Sequence, residues 1–338
     1  MGSQRAKLTP QMLQYDDFDD RAEARWLSYL MYFHRTNYRS DVINTDRLGF
    51  RISHGASEPA SAGGNMPKGP VRLLVGSSTA MGIGAESDAA TLPSRLWSKY
   101  APSRPWLNFA GRSYSSVQEL MLFMLHRHLL PEIDEIVLFS GLNNLATARL
   151  PKSQRGEHGA FFNCGDFFDQ MDALKLRVRK AKLGLTRRAK STPPPADEPV
   201  RPLDVRMSDA VELTVRHLDS WQIFAQAAGA RVSFVLQPLA TWVREEPAAQ
   251  EKLLFGELDK ISNFWQLFGD IATKESGRRY ADELRQACEK QGVPFLDINP
   301  VLADAVTEQN WLFVDRAHFT DEGHDIVARL LAEQLNLS

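Results

Sequence analysis

The chain has 338 residues, of which 43% are hydrophobic and 24% charged, a composition typical of a globular protein with a sizeable core. A formal net charge of −2 at pH 7 argues against a nucleic-acid partner or an anionic membrane surface. Two cysteines without a CxxC spacing predict neither a disulfide framework nor a zinc site.

Residues 1–70 are predicted to form an N-terminal extension that precedes the main domain. Its first residues lack the apolar stretch of a secretory signal, and no run of the chain reaches the ~18 apolar residues of a membrane span, so we expect a cytoplasmic protein. Apolar residues at roughly helical spacing predict a helix from Asp19 to His34. Asn44 to Arg51 predicts a turn into a short strand, and residues 55–70, rich in Gly, Ala, Ser and Pro, predict a flexible lead-in.

Residues 71–338 alternate between short apolar runs and segments of helical composition. The predicted strands are 71–76, 105–110, 135–140, 231–237 and 293–298. The predicted helices are 86–100, 115–130, 209–228, 277–291 and 321–335. This alternation predicts an α/β fold with a central parallel sheet of about five strands, covered by helices on both faces. Three successive strands end in small polar loops at one edge of that sheet, where open α/β sheets bind their ligands.

Two segments interrupt the alternation. Asp172 to Lys190 holds eight Lys or Arg against one Asp, and Thr192 to Pro202 holds five prolines, so we predict a basic and proline-rich insertion at about 172–203. Ala240 to Lys274 is long for a connection. Its aromatic residues predict a helical insertion at about 240–275, which we expect to fold over the edge of the sheet where the ligand site is predicted.

Three residues could form a nucleophilic triad. Ser78 lies at the turn from the first core strand into a helix, a position suited to a nucleophile. His318 would be its general base, and Asp315, three residues earlier, can orient the imidazole. Thr320 is predicted to cap the last helix and so to fix the loop that carries His318.

Ester hydrolysis also needs hydrogen-bond donors for the developing oxyanion. The backbone amide of Gly111, after the second strand, and the side-chain amide of Asn143, after the third, are the predicted donors. A dinucleotide site at Gly82-x-Gly84 is disfavoured because Ser87 stands where the third glycine belongs. The sequence predicts no cofactor and no metal ion.

Four blocks carry a resemblance to a known family: Gly76-x-Ser78-x-x-x-Gly82, Gly111 within NFAG, Gly141-x-Asn143 and Asp315-x-x-His318. In this order they resemble the conserved blocks of the SGNH/GDSL hydrolases. The resemblance implies a flavodoxin-like three-layer α/β/α fold and a Ser-His-Asp triad. It also implies an oxyanion hole built from the Ser78 amide, the Gly111 amide and the Asn143 side chain.

Two residues depart from the family pattern, since Ser77 and Asn144 stand where acidic residues are usual. GSS in place of GDS also resembles members from bacterial biosynthetic or polysaccharide clusters. The resemblance implies a serine acyl hydrolase (an esterase or thioesterase) acting on an acylated small molecule or biosynthetic intermediate. An acyltransferase that passes the acyl group to an alcohol or amine is an alternative, and a non-catalytic scaffold of the same fold is another. If an acidic carrier protein delivers the acyl group, the basic stretch Lys175 to Lys190 could steer it.

Overall fold

The computed structural model describes residues 3–19, 25–162, 171–172 and 199–337. The strands are β1 (Arg25–Leu27), β2 (Met31–Phe33), β3 (Ser53–His54), β4 (Pro59–Ala60), β5 (Val71–Gly76), β6 (Trp106–Ala110), β7 (Ile133–Ser140), β8 (Arg231–Leu236) and β9 (Phe295–Asp297). The α-helices are α1 (Gln4–Leu8), α2 (Met12–Phe18), α3 (Ser78–Met81), α4 (Leu92–Arg95), α5 (Ser116–His126), α6 (Leu142–Thr147), α7 (Leu203–Ala228), α8 (Ala240–Val243), α9 (Ala249–Leu258), α10 (Phe264–Phe268), α11 (Lys274–Gln291), α12 (Ile298–Ala305) and α13 (Asp321–Gln334).

The core is a five-stranded sheet in the order β6-β5-β7-β8-β9, with every neighbouring pair parallel. Every residue of β5 and β6 is buried, as expected for strands covered on both faces. The predicted three-layer α/β/α fold is confirmed, and its strand order is that of flavodoxin-like sheets. All five predicted strands are present, because continuous apolar runs closed by small residues leave little alternative to a buried parallel strand.

The chain direction across the sheet reverses beside β5, since β6 lies on one side of it and β7 on the other. Such a switch point leaves a crevice at the carboxyl ends of the strands. The backbone there is close-packed, and a Cβ on Gly76 would collide with the carbonyl oxygen of Phe139. Helix α3 follows after Ser77, and its C-terminal cap is Gly82, whose φ of 96° is in the left-handed region. Both glycines are therefore needed to form the turn that carries Ser78.

The predicted helix from Asp19 to His34 is wrong. Helix α2 ends at Phe18, and β1 and β2 pair as an antiparallel hairpin, with residues 20–24 outside the described part of the chain. Tyr29 and Met31 adopt positive φ at the turn, which a helix does not allow. The aromatic and apolar side chains that suggested a helix pack equally well on a short hairpin.

Residues 55–70 are more ordered than the predicted flexible lead-in. Strand β4 pairs with β3, and residues 60–62 are at most 5% exposed. Nearby, the fully buried Arg51 donates to the Asp88 carboxylate at 2.8 Å and to the Gly82 carbonyl at 2.8 Å. The end of α3 is thus held by a residue that precedes the sheet. The boundary at residue 70 stays a prediction.

The two predicted insertions differ in how much of them is described. Helices α8, α9 and α10 lie within residues 240–275, where a helical insertion was predicted. Residues 173–198 of the basic insertion lie outside the described residues, and with them the stretch Lys175 to Lys190. Helix α7 starts at Leu203, six residues before the predicted start at Asp209, and α12 was not predicted. Among the described residues, no helix combines the length and apolarity required to cross a membrane.

Glu119 gives a testable pH dependence of stability. It is buried on α5 beside the end of β7, where the Ser140 hydroxyl donates to its carboxylate at 2.7 Å. Burial raises the pKa of Glu119 to about 8. Between the unfolded-state pKa of ~4.3 and about 8, the folded protein holds a proton that the unfolded chain releases. The contribution of Glu119 to the free energy of unfolding should therefore fall as pH rises through this window, by about 1.4 kcal/mol for each pH step of one.

Urea unfolding at pH 5, 7 and 9 measures this dependence. Glu119→Gln should remove this contribution, because the amide cannot ionise, so the difference between wild type and variant isolates it. Glu333→Gln, at an exposed helix position, is the matched control and should leave the slope unchanged. An equal slope in wild type and Glu119→Gln would contradict the prediction.

Candidate active site

Ser78 lies at the carboxyl edge of the sheet, as the first residue of α3 after β5. Ser77, which precedes it, has an extended backbone and occupies the N-cap position of the helix. The Ser78 side chain is partly exposed, whereas Ser77 and Thr79 on either side are buried. The turn therefore presents one hydroxyl to the crevice.

The predicted triad residues come together. Ser78 Oγ lies 2.8 Å from His318 Nε2, and His318 Nδ1 lies 2.7 Å from Asp315 Oδ2. His318 and Asp315 are both partly exposed, with 19% and 28% of their side chains accessible. A substrate in the crevice could thus reach a serine whose proton has an acceptor already in place.

Asp315 is held in its ionised form by local hydrogen bonds. Its Oδ1 accepts from the backbone amides of Ala317 at 2.8 Å and His318 at 2.9 Å. Burial alone would raise the pKa of Asp315, but His318 and these two amides outweigh it and lower the pKa below its ordinary value. A carboxylate in this position accepts the Nδ1 proton of His318 and leaves Nε2 free to accept from Ser78.

The loop that carries His318 (313–319) is anchored at several points. Phe313 and Phe319 form an antiparallel bridge across it, and the Arg316 carbonyl accepts from the Ala240 amide at 2.8 Å. The Arg316 guanidinium pairs with Asp259 at 2.8 Å and lies 4.6 to 5.0 Å from three aromatic rings, those of Phe255, Phe264 and Trp265. The helical insertion therefore packs against this loop. Thr320 accepts from the Gly323 amide at 3.1 Å, which confirms the predicted cap of α13.

The predicted oxyanion donors differ in whether their N–H groups already donate a hydrogen bond within the protein. The Ser78 amide, at the first position of α3, has no acceptor among the residues that the structure describes. Asn143 Nδ2 donates to the Tyr114 carbonyl at 2.8 Å, which fixes the side chain and leaves its second N–H available. The Gly111 amide instead donates to the Gly76 carbonyl at 3.0 Å, extending the pairing of β5 with β6.

The Gly111 amide, which the sequence predicted as an oxyanion donor, is thus already paired in this structure. The Arg112 amide is also paired, with His34 Nε2 at 2.9 Å. Ser113 adopts a φ of 58°, and within the described ranges its amide has no acceptor. The amides of both neighbours of Ser113 are hydrogen-bonded: that of Arg112 to His34, and that of Tyr114 to the Gly111 carbonyl. The free amide of this loop belongs to Ser113.

The N-terminal hairpin holds the 111–114 loop, a role that the sequence did not reveal. His34 Nδ1 lies 2.9 Å from the Gly49 carbonyl, and burial lowers its pKa to about 4, so the neutral ring donates from Nδ1 and accepts from the Arg112 amide at Nε2. The Tyr32 hydroxyl donates to the Ser113 carbonyl at 3.2 Å, and the Tyr114 hydroxyl donates back to the Tyr32 carbonyl at 2.6 Å. Both contacts join residues about 80 positions apart, so no local pattern signals them.

Arg112 adds a positive charge beside this loop. Burial lowers its pKa to about 10, so the guanidinium stays charged at neutral pH, and it forms an ion pair with Asp19. Its charge also acts on Asp315. A cation at this position favours negative charge in the crevice.

The two departures from the family pattern have structural roles. The Ser77 hydroxyl donates to Gln237 Oε1 at 3.0 Å. Asn144 is buried, accepts from the Ser116 amide at 3.0 Å and donates to Thr214 Oγ1 at 2.8 Å, so it joins the start of α5 to α7. Neither side chain contacts the triad side chains directly.

No protein-family model matches this chain, and no curated protein matches its sequence. Solved structures that match it include a catalytic mutant of an acetylxylan esterase from Geobacillus stearothermophilus (12% identity, 81% of this chain and 97% of that chain, TM-score 0.42). A member of the lipolytic G-D-S-L family from Veillonella parvula matches with 8% identity over 79% of this chain and 98% of that chain (TM-score 0.42). A GDSL-like lipase from Bacteroides thetaiotaomicron matches with 12% identity over 79% and 87% (TM-score 0.38).

Proposed function

We propose that this protein is a serine acyl hydrolase, an esterase or thioesterase that acts on an acylated small molecule. The observation that carries the proposal is the continuous hydrogen-bonded chain from Ser78 through His318 to Asp315, at 2.8 and 2.7 Å. A Ser–His hydrogen bond at another place in the fold would not by itself indicate catalysis. Here the same serine also carries, next to its hydroxyl at the crevice of the sheet, a backbone amide without an acceptor in the described part of the chain.

Each group has one role in the reaction. Ser78 Oγ attacks the acyl carbonyl as its proton moves to His318 Nε2, and Asp315 stabilises the resulting imidazolium. The Ser78 amide, the Ser113 amide and Asn143 Nδ2 are the proposed donors to the oxyanion. The attack forms a tetrahedral intermediate, which carries the oxyanion. Its collapse breaks the bond to the alcohol or thiol, which leaves with the proton from His318. Water then repeats the sequence on the acyl-enzyme and releases the acid.

Transfer of the acyl group to an alcohol or amine shares the first half of this reaction. The two outcomes differ only in which nucleophile attacks the acyl-enzyme, so analysis of the products with candidate acceptors separates them. Delivery by an acidic carrier through Lys175 to Lys190 stays a prediction, since those residues lie outside the described part of the chain.

Covalent labelling with a fluorophosphonate tests the proposal. The phosphorus takes the place of the acyl carbonyl, Ser78 Oγ displaces fluoride, and the proton goes to His318. We expect one adduct per chain, which peptide mass spectrometry should locate on Ser78, and turnover of a p-nitrophenyl acetate substrate lost in step with labelling. A folded wild-type protein that is neither labelled nor active on a panel of esters and thioesters would instead be a scaffold of this fold.

Asn143→Ala should lower kcat by about 10²- to 10³-fold, the usual loss for one oxyanion donor. KM should change little, because the donor acts mainly on charge that develops in the transition state. Steady-state kinetics on a p-nitrophenyl ester measures both, and the melting temperature reports whether loss of the bond to Tyr114 disturbs the fold. A change confined to KM would mean that Asn143 only holds the substrate.

A further inference from the structure

Gln237 lies at the same sheet edge as the triad without touching it. It follows β8 directly, and its backbone amide donates to the Ser140 carbonyl at 3.0 Å, which fixes its position against β7. The side chain is 1% exposed and lies between the two residues that flank the nucleophile, Ser77 and Thr79. A buried amide in such a position must have its polar atoms paired.

The hydrogen bonds of this side chain run in one direction. The Ser77 hydroxyl donates to Gln237 Oε1 at 3.0 Å, and Gln237 Nε2 donates to Thr79 Oγ1 at 3.2 Å. Since the Thr79 hydroxyl accepts from that N–H, its single proton is free to be donated, and it goes to the Ala317 carbonyl at 3.1 Å. We call these four residues the Gln237 bridge: Ser77, Gln237, Thr79 and Ala317. It joins the turn of the nucleophile to the loop of the base.

The bridge ends on the peptide group that leads into His318. The carbonyl of that peptide is the Ala317 oxygen, which Thr79 holds, and its N–H is the His318 amide, which donates to Asp315 at 2.9 Å. The plane of this peptide is thus held at its oxygen by Thr79 and at its N–H by Asp315. Because the imidazole is attached to the next Cα, this plane and the Asp315 contact to Nδ1 together set where Nε2 lies relative to Ser78 Oγ.

We propose that Gln237 is a positioning residue that sets the distance between Ser78 and His318 through this bridge. The inference rests on the proposed function, because it assumes that Ser78 is the nucleophile. It also gives Ser77 a role: its hydroxyl donates the proton that orients the Gln237 amide with Nε2 toward Thr79. An ionised aspartate at position 77 would have no proton to donate and would attract Nε2 instead.

Thr79→Val and Thr79→Ser test the bridge. Valine has the shape of threonine but removes the hydroxyl, so the Ala317 carbonyl loses its partner; serine restores that hydroxyl. Thr214→Val is the matched control, because Thr214 is also buried, accepts from an amide side chain and donates to a backbone carbonyl, in this case that of Ala210. Gln237→Glu keeps the shape of the side chain but, when ionised, cannot donate to Thr79.

For Thr79→Val and Gln237→Glu we expect kcat and the rate of fluorophosphonate labelling to fall together, by up to about 10²-fold, with KM unchanged. Thr79→Ser should recover most of the loss. Thr214→Val should lower the melting temperature about as much as Thr79→Val but leave kcat at the wild-type value.

The outcomes separate this inference from the one on which it rests. If wild type is labelled at Ser78 but folded Thr79→Val and Gln237→Glu react at the wild-type rate, the bridge does not position the base and the inference fails alone. If Thr214→Val loses as much kcat as Thr79→Val, the loss comes from general destabilisation, which also overturns the inference. If wild type is not labelled at Ser78, the proposed function fails first.

Discussion

Ser78→Ala is expected to lower kcat by about 10⁴- to 10⁶-fold, because without the hydroxyl there is no acyl-enzyme. The hydroxyl contributes little to packing, since Ser78 is partly exposed and the described contacts of its side chain are with His318. The melting temperature should therefore stay close to that of wild type. Steady-state kinetics on a p-nitrophenyl ester, with burst analysis of the first turnover, measures the effect.

Ser77→Ala is the matched control for this variant, since it removes a hydroxyl one residue earlier in the same turn. Ser77 is 1% exposed and bonds to Gln237, so its loss should slow the enzyme far less than the loss of Ser78. Fluorophosphonate should label Ser77→Ala and leave Ser78→Ala unlabelled. The reverse pattern would make Ser77 the nucleophile and refute the triad as described.

Asp315→Asn should lower kcat by about 10⁴-fold while the fold is kept. The asparagine oxygen can still accept from the amides of Ala317 and His318, so its NH₂ group faces the imidazole. His318 Nδ1 then accepts a hydrogen bond, the ring proton moves to Nε2, and the ring cannot take the proton of Ser78. The lost charge also removes the stabilisation of the imidazolium.

Asp297→Asn is a suitable control for this substitution. Asp297 ends β9 and accepts from the Asn299 amide at 3.1 Å, so it too is a carboxylate bonded to a backbone amide at a strand end. Its described hydrogen bonds do not include the triad, and its substitution should leave kcat unchanged. Near-wild-type kcat in Asp315→Asn would show that the carboxylate does not control the tautomer of His318.

The sequence was sufficient to predict the sheet and the meeting of Ser78, His318 and Asp315, because both have local signatures. Each core strand is a continuous apolar run that ends in small residues, and Asp315 and His318 lie three positions apart in one loop. The strands bring their loops to one edge without further information, since all of them are parallel. Ser78 and His318 could therefore be placed together although 240 positions separate them.

What the sequence did not predict depends on long-range contacts. Whether the amide of Gly111 or that of Ser113 is free depends on the pairing with Gly76 and on His34, and neither contact leaves a local pattern. The Asp19 to His34 segment was predicted as a helix for a related reason. Its apolar spacing fits a helix, whereas in the structure it is a hairpin, and Tyr32 and His34 are hydrogen-bonded to the 111–114 loop.

The separation of the proposed nucleophile and base along the chain also bears on when the proposed triad can form. At 5–20 residues per second, a ribosome needs roughly 10–50 s to add the 240 residues between Ser78 and His318. Throughout that interval Ser78 lacks the imidazole that is proposed to activate it. The proposed triad is thus completed only after β8 and β9 have joined the sheet and the 313–319 loop has formed. Fluorophosphonate labelling of nascent or refolding chains would therefore report only molecules in which β8, β9 and the loop that carries His318 are in place.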